Sequence, residues 1–100
     1  MSIYLDVSLA IRGLRDERER AGVTTVLSDV LAQERMSDDV FIRLVEEGES
    51  LLVRADSTDP IRISGFSVWS QEFEQKLTRR ITALVPHAKI QLRWNEPDED

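Results

Sequence analysis

Residues 3–11 read IYLDVSLAI, a stretch in which every second side chain is apolar. The apolar members are Ile3, Leu5, Val7, Leu9 and Ile11, and the residues between them and after them are Tyr4, Asp6, Ser8, Ala10 and Arg12. Because successive side chains of an extended chain point to opposite faces, the pattern predicts a β-strand with one face in the core and the other largely in water. We expect Gly13 to end this strand.

After Gly13 comes a densely charged segment, and after that a segment whose apolar residues have helical spacing. Residues 15–20, RDERER, contain no apolar residue, which predicts a solvated loop or a frayed first helical turn. A helix is expected from about residue 23 to residue 35 or 36, with Thr24 or Thr25 as its N-cap. Its apolar stripe is formed by Val26, Leu27, Val30 and Leu31.

Short β-type runs occupy the middle of the chain. Residues 40–45 (VFIRLV) and 51–55 (LLVRA) flank a connection that contains Gly48, and this arrangement predicts a hairpin. Residues 56–60 (DSTDP) form the densest cluster of turn-forming residues. Residues 61–64 (IRIS) alternate again and predict a further short strand.

The second helix has the most regular apolar period in the chain. Its stripe is Trp69, Phe73, Leu77, Ile81 and Leu84. Ser67 or Ser70 is the expected N-cap, and Pro86 is expected to stop the helix. Residues 88–94 alternate as a last strand, and residues 96–100 (EPDED) follow as an acidic tail.

The predicted order is therefore β, α, β, β, short β, α, β, within one α+β domain over residues 1–95. We expect a ferredoxin-like or related two-layer sandwich, with two helices packed on one face of a mostly antiparallel sheet of four to five strands. The other sheet face carries Tyr4, Phe41 and Val45 among polar residues. These apolar side chains make a homodimer, or a partner surface, plausible on that open face.

Composition excludes several classes of function. The chain has no cysteine, which excludes disulfides, thiolate zinc sites and cysteine nucleophiles. A net charge of -6 argues against nucleic-acid binding, which needs a clustered basic surface. No run is apolar enough to cross a membrane, and the segment MSIYLD lacks the features of a signal peptide, so a cytoplasmic location is expected.

Catalytic constellations are absent from the sequence. His87 is the one histidine, and no serine lies in a G-x-S-x-G turn, so a surface histidine is favoured over a catalytic one. The four glycines form no phosphate-binding loop. The carboxylates lack calcium-loop spacing, and adjacent pairs on a strand point to opposite sides. We therefore predict no enzyme, no metal site and no cofactor.

The negative charge is distributed unevenly. The net charge is -1 over residues 1–35, -4 over 36–66, +3 over 67–95 and -4 over 96–100. The candidate partner-binding residues are the acids of the central turns and hairpin, namely Asp38, Asp39, Glu46, Glu47, Glu49, Asp56 and Asp59. Such a surface attracts a basic protein, although acids also collect on loops for solubility alone.

In its size, its acidity and its lack of a catalytic set, the chain resembles bacterial polymorphic-toxin immunity proteins. That resemblance implies a stoichiometric inhibitor whose acidic surface occludes the basic cleft of a toxin or nuclease. A second hypothesis is a homo-oligomeric ferredoxin-like sensor or regulatory domain, with a ligand or partner between two sheets. A third is a small enzyme that uses carboxylates or His87.

Overall fold

A computed structural model describes residues 2–95, and the predicted acidic tail at 96–100 lies outside them. Five strands and two helices follow the predicted order. They are β1 Ser2–Leu14, α1 Glu17–Gln33, β2 Val40–Glu47, β3 Ser50–Ser57, β4 Ile61–Ser64, α2 Phe66–Leu84 and β5 Lys89–Asn95. All observed strand pairings are antiparallel; β2 and β3 form the predicted hairpin, and β1 pairs with strands distant in the chain.

Strand β1 lies at the centre of the sheet. Its residue Ser8 pairs with Asp56 of β3 and with Arg93 of β5, so these two strands occupy opposite edges of β1. Strand β2 lies outside β3, and β4 pairs with residues 2–5 of β1. The central position explains why β1 is the longest strand, since four other elements of the sheet are built on it directly or through β3.

The hydrophobic core lies between one sheet face and the two helices. The alternation predicted for β1 is observed, because Val7, Leu9 and Ile11 are buried on this face. The helices contribute Val23, Leu27, Val30, Leu31, Phe73, Leu77 and Ile81. Both helices therefore cover the same side, and within residues 2–95 no helix lies on the other face of the sheet.

The predicted end of β1 at Gly13 is wrong. The strand continues to Leu14, and its register against β3 shifts between Ile11 and Leu14. Gly13 has a φ of +83°, so it forms a bulge within the strand instead of a stop. A glycine suits this position because side-chain-bearing residues rarely adopt a positive φ.

Of the two interpretations of residues 15–20, the first helical turn is the observed one and the loop is wrong, since α1 begins at Glu17 and not near residue 23. Asp16 is the N-cap, and its carboxylate accepts a hydrogen bond from the backbone N–H of Glu19 at 2.9 Å. The Glu19 carboxylate accepts in return from the N–H of Arg15 at 2.7 Å. Arg20 is buried and forms an ion pair with Glu17. The first turn is thus stabilised by polar side chains, which a search for apolar periodicity does not detect.

The caps predicted for the two helices differ from the observed ones. Thr24 and Thr25 lie within α1, where their hydroxyls donate to carbonyls one turn back. The helix ends at Gln33, before the predicted 35 or 36. Helix α2 begins after Gly65, which has no capping side chain, so Ser67 and Ser70 are internal. The predicted stop before Pro86 agrees with the observed end at Leu84.

Helix α2 and β5 meet through a cluster of four aromatic rings. Trp69 stacks on Phe73 with a centroid separation of 5.0 Å, and Trp94 of β5 meets Trp69 edge-on at 5.4 Å. Phe66 also contacts Trp94 edge-on, at 5.3 Å. The indole N–H of Trp69 donates to Glu34 at 3.1 Å, which ties α2 to the end of α1. The cluster therefore holds β5 against the helices.

Candidate functional site

The open face is the side of the sheet opposite the two helices. It carries polar side chains that are paired across neighbouring strands. One row across the sheet runs Phe41, Asp56, Ser8, Arg93. The neighbouring row runs Arg43, Arg54, Ala10, Gln91. Residues paired across antiparallel strands lie on the same face, so β1 supplies the two small side chains at the centre and the outer strands supply the large ones.

This face is basic although the chain is acidic. Its bases are Arg12, Arg43, Arg54, Arg62, Lys89 and Arg93, and its acids are Asp6, Glu47 and Asp56. Asp56 is the shared acceptor for two of the bases, since Arg43 donates to it at 3.0 Å and Arg54 at 3.4 Å. The hydroxyl of Ser8 donates to Asp56 at 2.9 Å.

These contacts shift the pKa of Asp56. Partial burial alone would raise it, but the hydrogen bonds from Arg54, Ser8 and Arg43 outweigh burial and hold the pKa of this carboxyl below its ordinary value of 3.8. A lowered pKa in the folded state means that Asp56 stabilises the fold above its ordinary pKa, and that this contribution is lost as the pH falls through the lowered value.

We expect Asp56→Asn to destabilise the protein by about 1 kcal/mol at pH 7, because the hydrogen bonds from two arginines to a charged acceptor are weakened. The difference from the wild type should begin to shrink below about pH 4, where the Asp56 carboxyl of the unfolded chain takes up a proton, and should be lost only as the pH falls through the lowered pKa of the folded state. Urea unfolding from pH 7 to pH 3 measures both quantities. A difference that does not change with pH would contradict a role for the Asp56 charge.

A pocket of about 220 Å³ lies on the open face, between β3, β1 and β5. Ser8 and Ala10 form its floor, and Arg12, Arg54, Gln91 and Arg93 stand around it. Arg12 donates to Gln91 at 3.4 Å and forms an ion pair with Glu47 at 3.1 Å. The large side chains can enclose this space because the central strand places small residues, Ser8 and Ala10, at the floor.

The apolar residues expected on the open face differ in exposure. Tyr4 is 56% exposed and Phe41 is 65% exposed, so both present aromatic surface to solvent. Val45 is half-buried, and Leu52, which pairs with it, is 1% exposed although it lies on the same face. The exposed apolar surface of this face therefore consists of two aromatic rings among basic side chains.

The seven predicted partner-binding acids do not form one surface. Asp38, Asp39 and Asp59 are exposed at the start of β2, where the backbone N–H of Thr58 donates to the Asp39 carbonyl at 2.9 Å. Glu46, Glu47 and Glu49 are exposed at the opposite end of that strand, a separation of about 20 Å at roughly 3.3 Å per residue. Asp56 belongs to the open face. The structure thus divides these residues into two end groups, one of which includes Glu47 as the ion-pair partner of Arg12, and the internal ion-pair acceptor Asp56.

His87 joins the β5 end of the fold to the start of α1. Its Nε2 lies 3.0 Å from Oε1 of Glu19. The hydrogen bond from the backbone N–H of Arg15 lowers the pKa of Glu19 below its ordinary value, and the contact with His87 lowers it further. These two effects outweigh desolvation, which alone would raise the pKa. His87 therefore has a structural partner, and the contact accounts for its position.

Other kinds of site find little support within the described part of the chain. Among residues 2–95, no three metal-ligating side chains lie close enough to hold an ion. Neither helix in this range has the length and apolarity needed to span a membrane. A larger depression of about 500 Å³ lies along α2, but its lining side chains all come from that one helix.

Comparison with known proteins identifies the fold. No protein-family model matches the sequence, and the curated proteins give no match. A dimeric ferredoxin-like protein from an uncultured marine organism has 14% identity and a TM-score of 0.65, with 97% of each chain covered. The de novo designed protein Foldit4 has 18% identity and a TM-score of 0.64, over 95% of this chain and 99% of that one. The designed ferredoxin-fold protein LFR1 1 has 13% identity and a TM-score of 0.57, over 98% and 90%. The chain thus has the predicted ferredoxin-like α+β fold, with two helices on one face of a five-stranded antiparallel sheet.

Proposed function

We propose that this protein is a non-catalytic binding domain that forms a homodimer through its open sheet face and holds a ligand between the two sheets. The observation that carries the proposal is the uncovered face itself. Helices cover one side of the sheet, whereas the other side presents Tyr4 and Phe41 to solvent beside a pocket. A ferredoxin-like protein of the same architecture is described as dimeric, which adds support.

The charge of the open face determines how such a dimer responds to salt. The face carries six bases and three acids, so two copies that meet there repel each other. Salt screens that repulsion, with a Debye length that shortens from about 30 Å at 0.01 M to about 10 Å at 0.1 M. Association should therefore strengthen as the salt concentration rises.

We expect the wild-type chain to dimerise with an affinity that increases with salt, and Phe41→Ser to weaken the dimer at least tenfold, since each of the two copies loses its aromatic contact. Sedimentation equilibrium at two salt concentrations measures both effects. Val68→Ser is the matched control, because Val68 is also 65% exposed but lies on α2. A wild-type chain that stays monomeric at every concentration, or equal weakening by both variants, would overturn the proposal.

The second candidate function is the inhibitor of a basic toxin or nuclease. It is favoured by the hairpin acids Glu46 and Glu49, which are exposed and form no ion pair within residues 2–95. An acidic surface that attracts a basic partner gives an association that weakens with salt, the opposite of the homodimer. Joint neutralisation of Glu46, Glu47 and Glu49 should slow that association.

A further inference from the structure

We infer that the pocket among Arg12, Arg54 and Arg93 binds a small oxyanion, the phosphoryl or carboxylate group of a small molecule. The inference rests on the proposed function for its place between two sheets. Oxyanion binding to a single chain is a separate property and can be tested separately. Four features of the pocket support this assignment.

The first feature is the convergence of like charges without a carboxylate in the lining. The residues that line the pocket include three arginines and no acid. They come from three different strands, since Arg12 lies on β1, Arg54 on β3 and Arg93 on β5. Glu47 and Asp56, which lie outside the lining, pair with Arg12 and Arg54, so among residues 2–95 Arg93 carries the uncompensated charge that a bound anion would neutralise.

The second feature is the number of donors without a good acceptor. The Nε of Arg54 is buried and has no hydrogen-bond partner. The other Arg54 contacts, with Ser8 and with Asp56, are both long at 3.4 Å. Arg93 forms no ion pair among the described residues. The outer guanidinium donors of Arg54 and Arg93 lack a short hydrogen bond among residues 2–95, so the site gains by accepting a group with several acceptor oxygens.

The third feature is the chemistry of these donors. Guanidinium groups form paired hydrogen bonds with phosphate and carboxylate, and such charge-assisted bonds are about twice as strong as neutral ones. The Gln91 amide N–H can also donate to an oxyanion, whereas the Ser8 hydroxyl already donates to Asp56. The set is therefore suited to an oxyanion and not to a cation.

The fourth feature is size. The volume of about 220 Å³ lies below the range of about 300–1,000 Å³ typical of pockets for drug-sized ligands. Ser8 and Ala10 at the floor leave space for one compact group over the central strand. A small anion fits this space, whereas a whole nucleotide would extend over the open face.

Anion binding in this position is coupled to dimerisation. An oxyanion in each pocket reduces the positive charge of both faces, so it lowers the repulsion between two copies. By linkage, an anion that strengthens the dimer must bind the dimer more tightly by the same factor. The pocket therefore makes the dimer responsive to the concentration of its ligand.

Calorimetric titration with inorganic phosphate and, separately, with succinate tests the pocket at fixed ionic strength. We expect at least one of them to bind, and Arg93→Gln to weaken binding about tenfold through loss of a charge-assisted contact. Ala10→Leu keeps every charge but fills the floor, so it should abolish binding. The control is Arg62→Gln, which removes a base from the same face outside the pocket and should change binding by less than about twofold.

The outcomes separate the pocket from the dimer. Tighter binding of phosphate assigns a phosphoryl group, and tighter binding of succinate assigns carboxylates. Failure of both anions to bind, or equal losses in Arg93→Gln and Arg62→Gln, overturns the inference, because the latter would indicate a diffuse field without a built site. Oxyanion binding by a chain that remains monomeric supports the pocket and overturns the proposed dimer. A dimer that binds neither anion supports the proposed dimer and overturns the pocket.

Discussion

Phe73→Ala is expected to destabilise the fold by about 3–5 kcal/mol, a large share of the 5–15 kcal/mol that stabilises a typical domain. Phe73 is 2% exposed and contacts both tryptophans of the aromatic cluster. Its ring stacks on Trp69 at 5.0 Å and meets Trp94 at 6.0 Å with an interplanar angle of 66°. Alanine would leave a cavity between α2 and β5 and remove both ring contacts.

Urea unfolding, followed by tryptophan fluorescence, measures this loss because both tryptophans contact Phe73. Phe73→Leu should cost less, since it keeps most of the apolar volume but loses the ring contacts. Leu84→Ala is the control on the same helix, because Leu84 is half exposed and should change stability by less than about 1 kcal/mol. A loss below about 1 kcal/mol in Phe73→Ala would mean that the ring is not a central core contact.

The effect extends to the pocket, because β5 carries two of its lining residues, Gln91 and Arg93. The neighbouring residue Trp94 is fixed by the aromatic cluster on the helix side. We expect loosening of that cluster to shift β5 and with it the Arg93 guanidinium. If Phe73→Leu keeps the fold in the urea measurement, it should bind oxyanions more weakly than Leu84→Ala although neither residue lines the pocket.

Gly13→Ala is expected to cost about 2–4 kcal/mol, because two penalties combine at this position. The residue has a φ of +83°, which residues with a Cβ adopt at a cost of about 1–2 kcal/mol. An added Cβ would also lie 3.0 Å from the backbone carbonyl oxygen of His87. That oxygen belongs to the connection between α2 and β5, so relief of the contact requires backbone movement.

Gly48→Ala provides the matched control for the second penalty. Gly48 has a φ of +61°, and no atom lies within 4 Å of the position an added Cβ would take. Its substitution carries the conformational cost alone, about 1–2 kcal/mol. The excess loss in Gly13→Ala over Gly48→Ala measures the approach of β1 to the His87 connection. Equal losses would show that the bulge tolerates a side chain there.

Much of the fold is visible in the periodicity of the sequence. The alternation in residues 3–11 predicts β1 with the observed buried face, and the stripe from Trp69 to Leu84 predicts α2. These features are local, because the period of a strand or a helix is set by backbone geometry. The predicted hairpin around Gly48 follows from turn chemistry in the same way, and Glu47 indeed pairs with Ser50.

The errors lie where polar contacts determine the structure. The start of α1 is stabilised by Asp16 and Glu19, three residues apart, and this spacing is a recognisable N-terminal signal that apolar periodicity passes over. Gly13 illustrates a different limit. A glycine after a strand pattern is compatible with a stop or a bulge, and the choice depends on whether a partner strand extends past it.

The sequence by itself determined the element order, the α+β class and the buried face of each main element, because periods of two and 3.6 residues are local properties. Its net charge of -6 pointed to acids as the binding surface. The tertiary structure alone decided that Arg12, Arg54 and Arg93 surround one pocket, since strands distant in the chain become neighbours only through the sheet order β2-β3-β1 with β5 on the other edge of β1. Strand register places the acids at the two ends of β2 and the bases on the open face. The net charge of the sequence is a sum over all residues, so it carries no information on that spatial separation.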